Sequence, residues 1–269
     1  EREANILATL EHPSIPRIYD YFTQNDRSYL IEEFIDGKDL EALLSETPGF
    51  FPEEQVIQWA IELCDVLGFL HEHKPEPIIF RDMKPSNVMI NTFGHVMLID
   101  FGIAKTFQVG QKGTMIGTEG YSPPEQYKGE AGPLSDIYAL GATLHHLLTR
   151  RDPRLEAPFS FNERPIRQIN PNVSIELEAV INTAIQYNPA SRFPSAAAMK
   201  EALLNILKPG GSARTAQVED TVGSEGRTSA FETGRLSWMF ECEDEVRGTP
   251  VFHSGVVYVG SYDYNLYAL

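Results

Sequence analysis

Four polar side chains in the middle of the sequence have the chemistry that transfer of a phosphoryl group requires. Such a transfer needs a carboxylate to orient the attacking hydroxyl, a cation to balance charge on the phosphate, and oxygen ligands for Mg²⁺. Asp82 suits the first role and Lys84 the second. Asn87 and Asp100 offer the hard oxygen ligands that Mg²⁺ prefers. We therefore expect Asp82 and Lys84 to be catalytic and Asn87 and Asp100 to bind metal.

Hydrophobic spacing places these residues in a Gly-, Pro- and Asp-rich stretch between two long predicted helices. One helix spans 53–73, begins after Pro52 and has Glu53 and Glu54 in its first turn; the other spans 133–149. Three further helices are predicted over 2–10, 175–187 and 195–207, the last two capped by Ser174 and Ser195. Short β-like runs are predicted over 18–23, 28–34, 88–90 and 96–99.

The composition changes near the end of the sequence. Residues 208–235 are rich in Gly, Ser and Thr without periodicity, which predicts a flexible linker. Residues 236–269 contain β-branched and aromatic runs broken by turn residues, which predicts several short antiparallel strands. We therefore expect three parts, over 1–207, 208–235 and 236–269.

Charge and cysteine content exclude several classes of protein. The 269 residues carry 38 acidic and 22 basic side chains, a net charge of −16, which argues against nucleic acid or an anionic membrane as the main partner. The sequence contains no run of 18 apolar residues, so no membrane-spanning segment is predicted. Cys64 and Cys242 lie far apart, so we expect reduced thiols and a cytoplasmic location.

Two segments resemble motifs of eukaryotic-type protein kinases. The segment similar to the catalytic loop is Phe80-Arg81-Asp82-Met83-Lys84-Pro85-Ser86-Asn87, and the one similar to the metal-binding motif is Asp100-Phe101-Gly102. The stretch 117–125 is similar to the end of a kinase activation segment, with Pro123-Pro124-Glu125 in place of Ala-Pro-Glu. The resemblance covers about residues 1–207. It implies an α+β protein-kinase-like fold, with a mostly helical large lobe and part of the small lobe, and it implies ATP and Mg²⁺ as cofactors.

The resemblance also implies roles for residues outside the catalytic loop. Glu125 would pair with Arg192 as a buried structural ion pair, and Asp136 would brace the backbone of the catalytic loop. Glu3, in a regulatory helix, would be the partner of a nucleotide-clamping lysine. Backbone groups of Glu33 and Ile35 would hold adenine, Asp39 would reach the ribose, and Glu32 is either a polar gatekeeper or a misaligned surface residue.

Two threonines bear on substrate class and activation. Lys84, together with Thr118 in the following loop, resembles serine/threonine kinases rather than tyrosine kinases, so the implied partner is a Ser/Thr protein substrate. Thr118 would hydrogen-bond Asp82 and Lys84. Thr114 is either the site of an activating phosphate that pairs with Arg81, introduced by self-phosphorylation, or an unmodified threonine.

The sequence departs from the kinase pattern in two ways. Phe80 replaces the usual histidine of the catalytic loop, where an aromatic ring can fill the same space. No Gly-rich phosphate loop and no strand lysine precede Glu3. We therefore expect this chain to be a piece of a longer bacterial protein, active in that protein and a poor catalyst by itself.

The C-terminal part resembles one truncated repeat of a pyrroloquinoline-quinone-type β-propeller, through Trp238, Thr249-Pro250-Val251, Asp263 and the run 255–261. A single blade cannot bury both of its faces, so further blades are expected. The sequence thus predicts a bacterial serine/threonine kinase fused to a propeller that senses an unknown ligand or scaffolds a protein. The alternative is a pseudokinase scaffold that acts through the propeller. A third hypothesis, a quinone-dependent dehydrogenase, has no support other than the partial blade.

Overall fold

The computed structural model describes residues 9–24, 27–101, 117–208, 251–253, 256–260 and 266–268. The chain divides into two units, residues 1–213 and 214–269. In the first unit the strands are β1 (Ile18–Gln24), β2 (Arg27–Glu32), β3 (Gly37–Asp39), β4 (Val88–Asn91) and β5 (Val96–Leu98). Its helices are α1 (Leu40–Glu46), α2 (Glu53–His71), α3 (Pro133–Thr149), α4 (Ile166–Ile169), α5 (Ile175–Ala184) and α6 (Ala196–Leu207).

The first unit contains two small antiparallel sheets. Strands β1 and β2 form a hairpin, and β3, β4 and β5 form a three-stranded sheet in that order. Asp39 ends β3 and caps α1, because its side chain accepts a hydrogen bond from the Ala42 N–H. The β3–α1 connection therefore leads directly from the small sheet into the helical part of the unit.

The helices pack around α2 and α3, which form the centre of the core. One face of α2 is fully buried, including Val56, Leu63 and Leu67. Helix α3 is buried from Ser135 to Thr149, as expected for a helix surrounded by protein on all sides. At Gly141 a Cβ atom would lie 2.8 Å from Ala184, so glycine permits the close approach of α5 to α3.

Most predicted elements in the described ranges are present, some with shorter ends, and β3, α1 and α4 are additional. Helix α2 ends at His71 and α5 at Ala184, two and three residues before the predicted ends. Ser174 and Ser195 cap α5 and α6 as predicted. Strand β3 and helix α1 were not predicted; the signal for α1 is the cap Asp39 followed by the buried pair Leu40 and Leu44.

The second unit is a separate small sheet. Its strands are β6 (Val251–His253), β7 (Val256–Gly260) and β8 (Leu266–Ala268), antiparallel in sequence order. This agrees with the short antiparallel strands predicted for 236–269. The boundaries predicted at 207 and 235 stay predictions.

A buried ion pair joins the end of the 117–125 segment to the helical core. Arg192, whose side chain is fully buried, donates from Nη1 to Glu125 Oε1 at 2.6 Å and from Nη2 to Oε2 at 3.0 Å. The remaining N–H groups bind the carbonyls of Leu134, Gln186 and Tyr187. Burial by itself raises the pKa of Glu125, but hydrogen bonds from Arg192, its own backbone and Ser135 outweigh that effect and lower it.

Replacing Arg192 with alanine should lower the free energy of unfolding by about 3–5 kcal/mol, because Glu125 and three carbonyls lose their buried partner. The matched control is Lys200→Ala, which removes an exposed ion pair with Asp65 and should cost less than about 1 kcal/mol. Urea unfolding followed by circular dichroism measures both. Equal losses in the two variants would contradict a structural role for the buried pair.

Candidate active site

The β4–β5 hairpin brings the two predicted metal ligands to one end of a sheet. Val88 pairs with Leu98, so Asn87, just before β4, lies opposite the residues just after β5. The Ile99 N–H donates to the Asn87 carbonyl at 3.0 Å, and Asp100 is the next residue. Asp100 has a left-handed backbone with φ of 57°, which turns the chain out of the strand.

Asp82, Lys84, Asn87 and Thr118 form one hydrogen-bonded cluster, which we call the Asp82 cluster. The Thr118 hydroxyl donates to Asp82 Oδ1 at 2.6 Å and accepts from Lys84 Nζ at 2.8 Å. Lys84 Nζ lies 3.1 Å from Asp82 Oδ2, and Asn87 Nδ2 donates to the same oxygen at 3.2 Å. A carboxylate, an ammonium group and an amide thus meet at one point, with Asp82 only 5% exposed.

The carboxylate of Asp136, on α3, holds the backbone that leads into Asp82. Its Oδ2 accepts from the Phe80 N–H at 2.9 Å, and its Oδ1 accepts from the Arg81 N–H at 2.8 Å. Arg81 has φ of 68°, a left-handed conformation that costs a residue with a side chain roughly 1–2 kcal/mol. Asp136 is fully buried, so these charge-assisted hydrogen bonds are well placed to offset that cost.

Two residues that the sequence reasoning missed support the same loop. His71 Nε2, at the end of α2, lies 2.8 Å from Asp136 Oδ2, although sequence spacing alone favoured no role for it. Gln126 Nε2 donates to the Arg81 carbonyl at 2.8 Å. Gly117, with φ of 129°, leaves room for Gln126 and Ser122, because a Cβ there would overlap both side chains. Asp136 and Gln126 thus hold the loop from two sides.

The residues predicted to contact the nucleoside, Glu33, Ile35 and Asp39, lie on the connection between β2 and β3 and at the end of β3. The Glu33 N–H donates to the Arg17 carbonyl at 2.8 Å, so only the Glu33 carbonyl can face a nucleotide. Ile35 is half-buried on this connection. Asp39 Oδ1 accepts a hydrogen bond of 2.8 Å from the Ala42 N–H. Partial desolvation, and then the charge of Asp100 at the end of the β4–β5 hairpin, raise the pKa of Glu32, although most of the residue is exposed.

Several predicted features fall partly or wholly outside the described residues, including the 2–10 helix, the 208–235 linker and Trp238, Thr249, Pro250 and Asp263 of the propeller resemblance. Glu3 and Thr114, with Gly102 of the metal-binding motif, belong to ranges that the structure does not describe. Phe101 of that motif is described, and its ring meets Phe80 edge-to-face with centroids 5.3 Å apart. Phe80 is 2% exposed, so this aromatic residue fills buried space at the position of the usual histidine.

The donor set suits Mg²⁺ held together with a nucleotide. Asn87 uses its Nδ2 for the Asp82 carbonyl and carboxylate, so its amide oxygen points away from those acceptors. An amide oxygen and the Asp100 carboxylate are hard ligands, and Mg²⁺ commonly takes one or two protein ligands plus phosphate oxygens. Within the described residues no cluster of three His, Cys, Asp or Glu side chains could hold a metal alone.

Two adjacent histidines near the end of α3, His145 and His146, are neutral at pH 7. Burial lowers the pKa of His145 and of His146 to about 4 each. His145 Nε2 donates to the Arg164 carbonyl at 2.9 Å, and His146 Nδ1 shares a hydrogen bond of 2.7 Å with the Tyr121 hydroxyl. Desolvation outweighs the helix dipole here because both rings are buried.

Residues 1–204 match the family model described as the protein kinase domain. The chain is 34% identical over 222 residues to the serine/threonine-protein kinase PknB of Mycobacterium leprae (strain TN), covering 76% of this chain and 35% of that relative. It is 37% identical over 215 residues to the serine/threonine-protein kinase PknA of Nostoc sp. (strain PCC 7120), covering 76% and 37%. The chain thus spans about a third of the length of these curated relatives.

Solved structures share the fold at lower identity. The Mycobacterium tuberculosis PknI kinase domain superposes with a TM-score of 0.61 at 23% identity, covering 76% of each chain. The apo form of PpkA-294 gives a TM-score of 0.60 at 24% identity, covering 75% of this chain and 72% of that one. Among the helices in the described ranges, none combines the length and apolar character needed to cross a bilayer.

The free energy of unfolding should fall as the pH is lowered from 7 to 5. The pKa values of His145 and His146 in the folded protein lie below the ordinary 6.5. Their contribution to the free energy of unfolding is therefore complete above pH 6.5 and declines towards pH 4. Each histidine should account for about 2 kcal/mol between pH 7 and 5. Urea titrations at both pH values measure this.

The variant His146→Gln should make that pH dependence shallower, because it removes one of the two buried groups that take up a proton between pH 7 and 5. An unchanged slope in His146→Gln would contradict the assignment of His146 as a neutral buried group.

Proposed function

Because the chain belongs to the protein kinase family, we propose that it forms the catalytic part of a serine/threonine protein kinase that uses ATP and Mg²⁺. The observation that carries this proposal is the Asp82 cluster, in which one buried carboxylate meets Lys84, Asn87 and Thr118. The names of the PknB and PknA relatives support the same activity.

Each member of the cluster has a role in the proposed reaction. Asp82 would orient the hydroxyl of the protein substrate and accept its proton at a carboxylate oxygen, as the hydroxyl oxygen bonds to the γ-phosphorus and the bond from that phosphorus to the bridging oxygen of ADP breaks. Lys84 Nζ, 3.1 Å from Asp82, balances negative charge on the group being transferred. The Thr118 hydroxyl joins the two and fixes their separation, since it donates to one and accepts from the other.

The cofactor would be held by residues around the cluster. Asn87 and Asp100 would hold Mg²⁺, while the Glu33 carbonyl, the Ile35 N–H and Asp39 would contact the nucleoside. Bound Mg-ATP would supply the γ-phosphoryl group, and its Mg²⁺ would neutralise charge on the phosphates. Glu3 would pair with a lysine expected upstream of it, so the longer protein is the proposed active form.

Regulation and assembly are part of the proposal. Thr114 would be a site of self-phosphorylation, whose phosphate pairs with Arg81. The three antiparallel strands β6, β7 and β8 support a propeller repeat after the kinase part, which would bind an unidentified ligand or protein. The protein would be cytoplasmic, with Cys64 and Cys242 as reduced thiols.

A second candidate is a pseudokinase scaffold that acts through the propeller. The observation behind this candidate is the set of strands in the second unit, because a binding domain would serve a scaffold as well as it would serve an active kinase. The intact Asp82 cluster argues against it, since a scaffold does not need a carboxylate, an ammonium and an amide in this arrangement.

Replacing Asp82 with asparagine should slow phosphate transfer from Mg-ATP to a serine- or threonine-containing peptide by about 10²–10⁴-fold, because the hydroxyl loses its proton acceptor. The assay uses the protein with the residues encoded before Glu1, and measures incorporated radioactive phosphate. A peptide with tyrosine in the same position should be a poor substrate.

The control variant is Asp65→Asn, which removes an exposed carboxylate on α2 and should keep the wild-type rate. Equal rates for wild type and Asp82→Asn would overturn the proposed mechanism. No transfer by the wild type, together with no binding of nucleotide, would favour the scaffold.

A further inference from the structure

Helix α1 is held at both ends by the loop that follows α3, residues 150–155, which we call the arginine loop. At the C-terminal end of α1, the Arg150 guanidinium donates to three backbone carbonyls. These carbonyls belong to Leu44, Thr47 and Gly49. At the N-terminal end, Arg154 Nη2 donates to Glu41 Oε1 at 2.5 Å. A shift of α1 would therefore break contacts with the arginine loop.

The position of Arg154 is fixed by the aspartate two residues before it. Its Nε donates to Asp152 Oδ1 and Oδ2 at 3.0 and 2.9 Å, and its Nη2 donates to Oδ2 at 2.6 Å. The Asp152 carboxylate also accepts from the Arg154 N–H at 2.9 Å and so caps the short 3₁₀ turn 153–155. The carboxylates of Glu41 and Asp152 thus share one guanidinium, whose planar fork of donors suits two partners at once.

The arginine loop also contacts the segment that orients Asp82. Gly120 has a φ of 87°, and a Cβ atom there would lie 2.5 Å from the Pro153 carbonyl and 2.8 Å from the Arg154 nitrogen. The two backbones therefore touch, and a side chain at Gly120 would push them apart. Because Gly120 is two residues after Thr118, the arginine loop supports the turn whose hydroxyl binds Asp82.

Tyr121, the residue after Gly120, anchors the same turn in the core. It is 2% exposed, and its hydroxyl shares a hydrogen bond of 2.7 Å with His146 Nδ1. The N–H groups of Tyr121 and Ser122 both donate to the Thr118 carbonyl, at 3.2 and 3.1 Å. These two amides therefore report directly on whether the turn at Thr118 is formed.

The contacts of Arg154 lie near the surface, so they affect position more than stability. The side chains of Arg154 and Glu41 are 40% and 43% exposed, and that of Asp152 is 18% exposed. Ion pairs as exposed as these contribute little to the free energy of unfolding. Removing Arg154 should therefore leave the protein folded, while the first turn of α1 loses its contact with the loop that touches Gly120.

We propose that Arg154 is a positioning residue that couples nucleotide binding to peptide binding, because it holds the first turn of α1 to the loop that touches Gly120. The inference rests on the proposed kinase function, in which Asp39, the N-cap of α1, reaches the ribose. Ordering of this first turn by the ribose contact passes through Glu41 and Arg154 to the turn at Thr118. A peptide substrate then meets a turn that is already ordered, so its binding costs less conformational entropy.

The first test measures the Kd of a serine peptide that the kinase phosphorylates, by NMR titration with and without saturating Mg-ADP. It uses the protein with the residues encoded before Glu1. Mg-ADP should lower this Kd about fivefold in the wild type and less than about twofold in Arg154→Ala. The control Arg151→Ala removes a 61% exposed arginine of the same loop, which pairs with Glu156, and should keep the wild-type factor. An equal factor in wild type and Arg154→Ala would overturn the proposal.

Two further variants separate the contact with α1 from a general effect on stability. Glu41→Ala removes the partner on α1 and should lower the factor as much as Arg154→Ala does. The double variant should lose no more than either, because both changes break one contact. Glu46→Ala breaks the exposed pair with Lys38 at the other end of α1 and should keep the factor. A wild-type factor in Glu41→Ala would overturn the role of Arg154 as a link to α1.

Hydrogen exchange distinguishes failure of the coupling from failure of the kinase function, because it needs no catalysis. Arg154→Ala should exchange the Tyr121 and Ser122 amides about tenfold faster than the wild type, and Arg151→Ala should not. Faster exchange in Arg154→Ala, with no Mg-ADP binding and no phosphate transfer by the wild type, would overturn the proposed function and leave Arg154 as a support of the Thr118 turn. Unchanged exchange, with phosphate transfer by the wild type, would overturn the role of Arg154 and leave the function standing.

Discussion

The fully buried carboxylate of Asp136 is the constraint on which the geometry of the site depends. A buried charge is costly unless hydrogen bonds compensate it, and Asp136 obtains them from the Phe80 and Arg81 N–H groups and from His71. In return it holds Arg81 in a left-handed conformation that the chain would otherwise avoid. Because Asp82 is the next residue, the direction of its carboxylate follows from this arrangement. The core helix α3 thus fixes the reactive loop directly.

The segment from Gly117 to Gln126 completes the site from the other side. Thr118 contacts both Asp82 and Lys84, and Gln126 binds the Arg81 carbonyl. The segment is in turn tied to the core by the pair of Glu125 with Arg192, whose guanidinium also lies 4.9 Å from the centre of the Tyr138 ring. A continuous set of contacts therefore links Tyr138, on α3, to the loop that carries Asp82.

Sequence motifs brought out the residues of the Asp82 cluster, Asp136 and the pair of Glu125 with Arg192, but not every side chain that supports them. The residue types and the spacing of Asp82, Lys84, Asn87 and Asp100 indicated their chemistry. The β4–β5 hairpin, between 88 and 98, then brings Asn87 and Asp100 to the same end of the sheet. His71 and Gln126 had no such signal, since their roles depend on contacts across 65 and 45 residues. The neutral state of His146 was also missed, because burial depends on how α3 is surrounded and not on its position near a helix end.

The measurement that tests this account most directly is the kcat of Asp136→Asn for peptide phosphorylation, at a temperature where circular dichroism shows wild type and variant equally folded. An amide at this position keeps one acceptor and turns an N–H₂ group towards a backbone donor, so Arg81 and Asp82 should lose their fixed geometry. The account predicts a kcat lowered by about 10²-fold with little change in the KM for ATP, since Glu33 and Ile35 lie in the separate β2–β3 connection. A folded Asp136→Asn variant with wild-type kcat would contradict it.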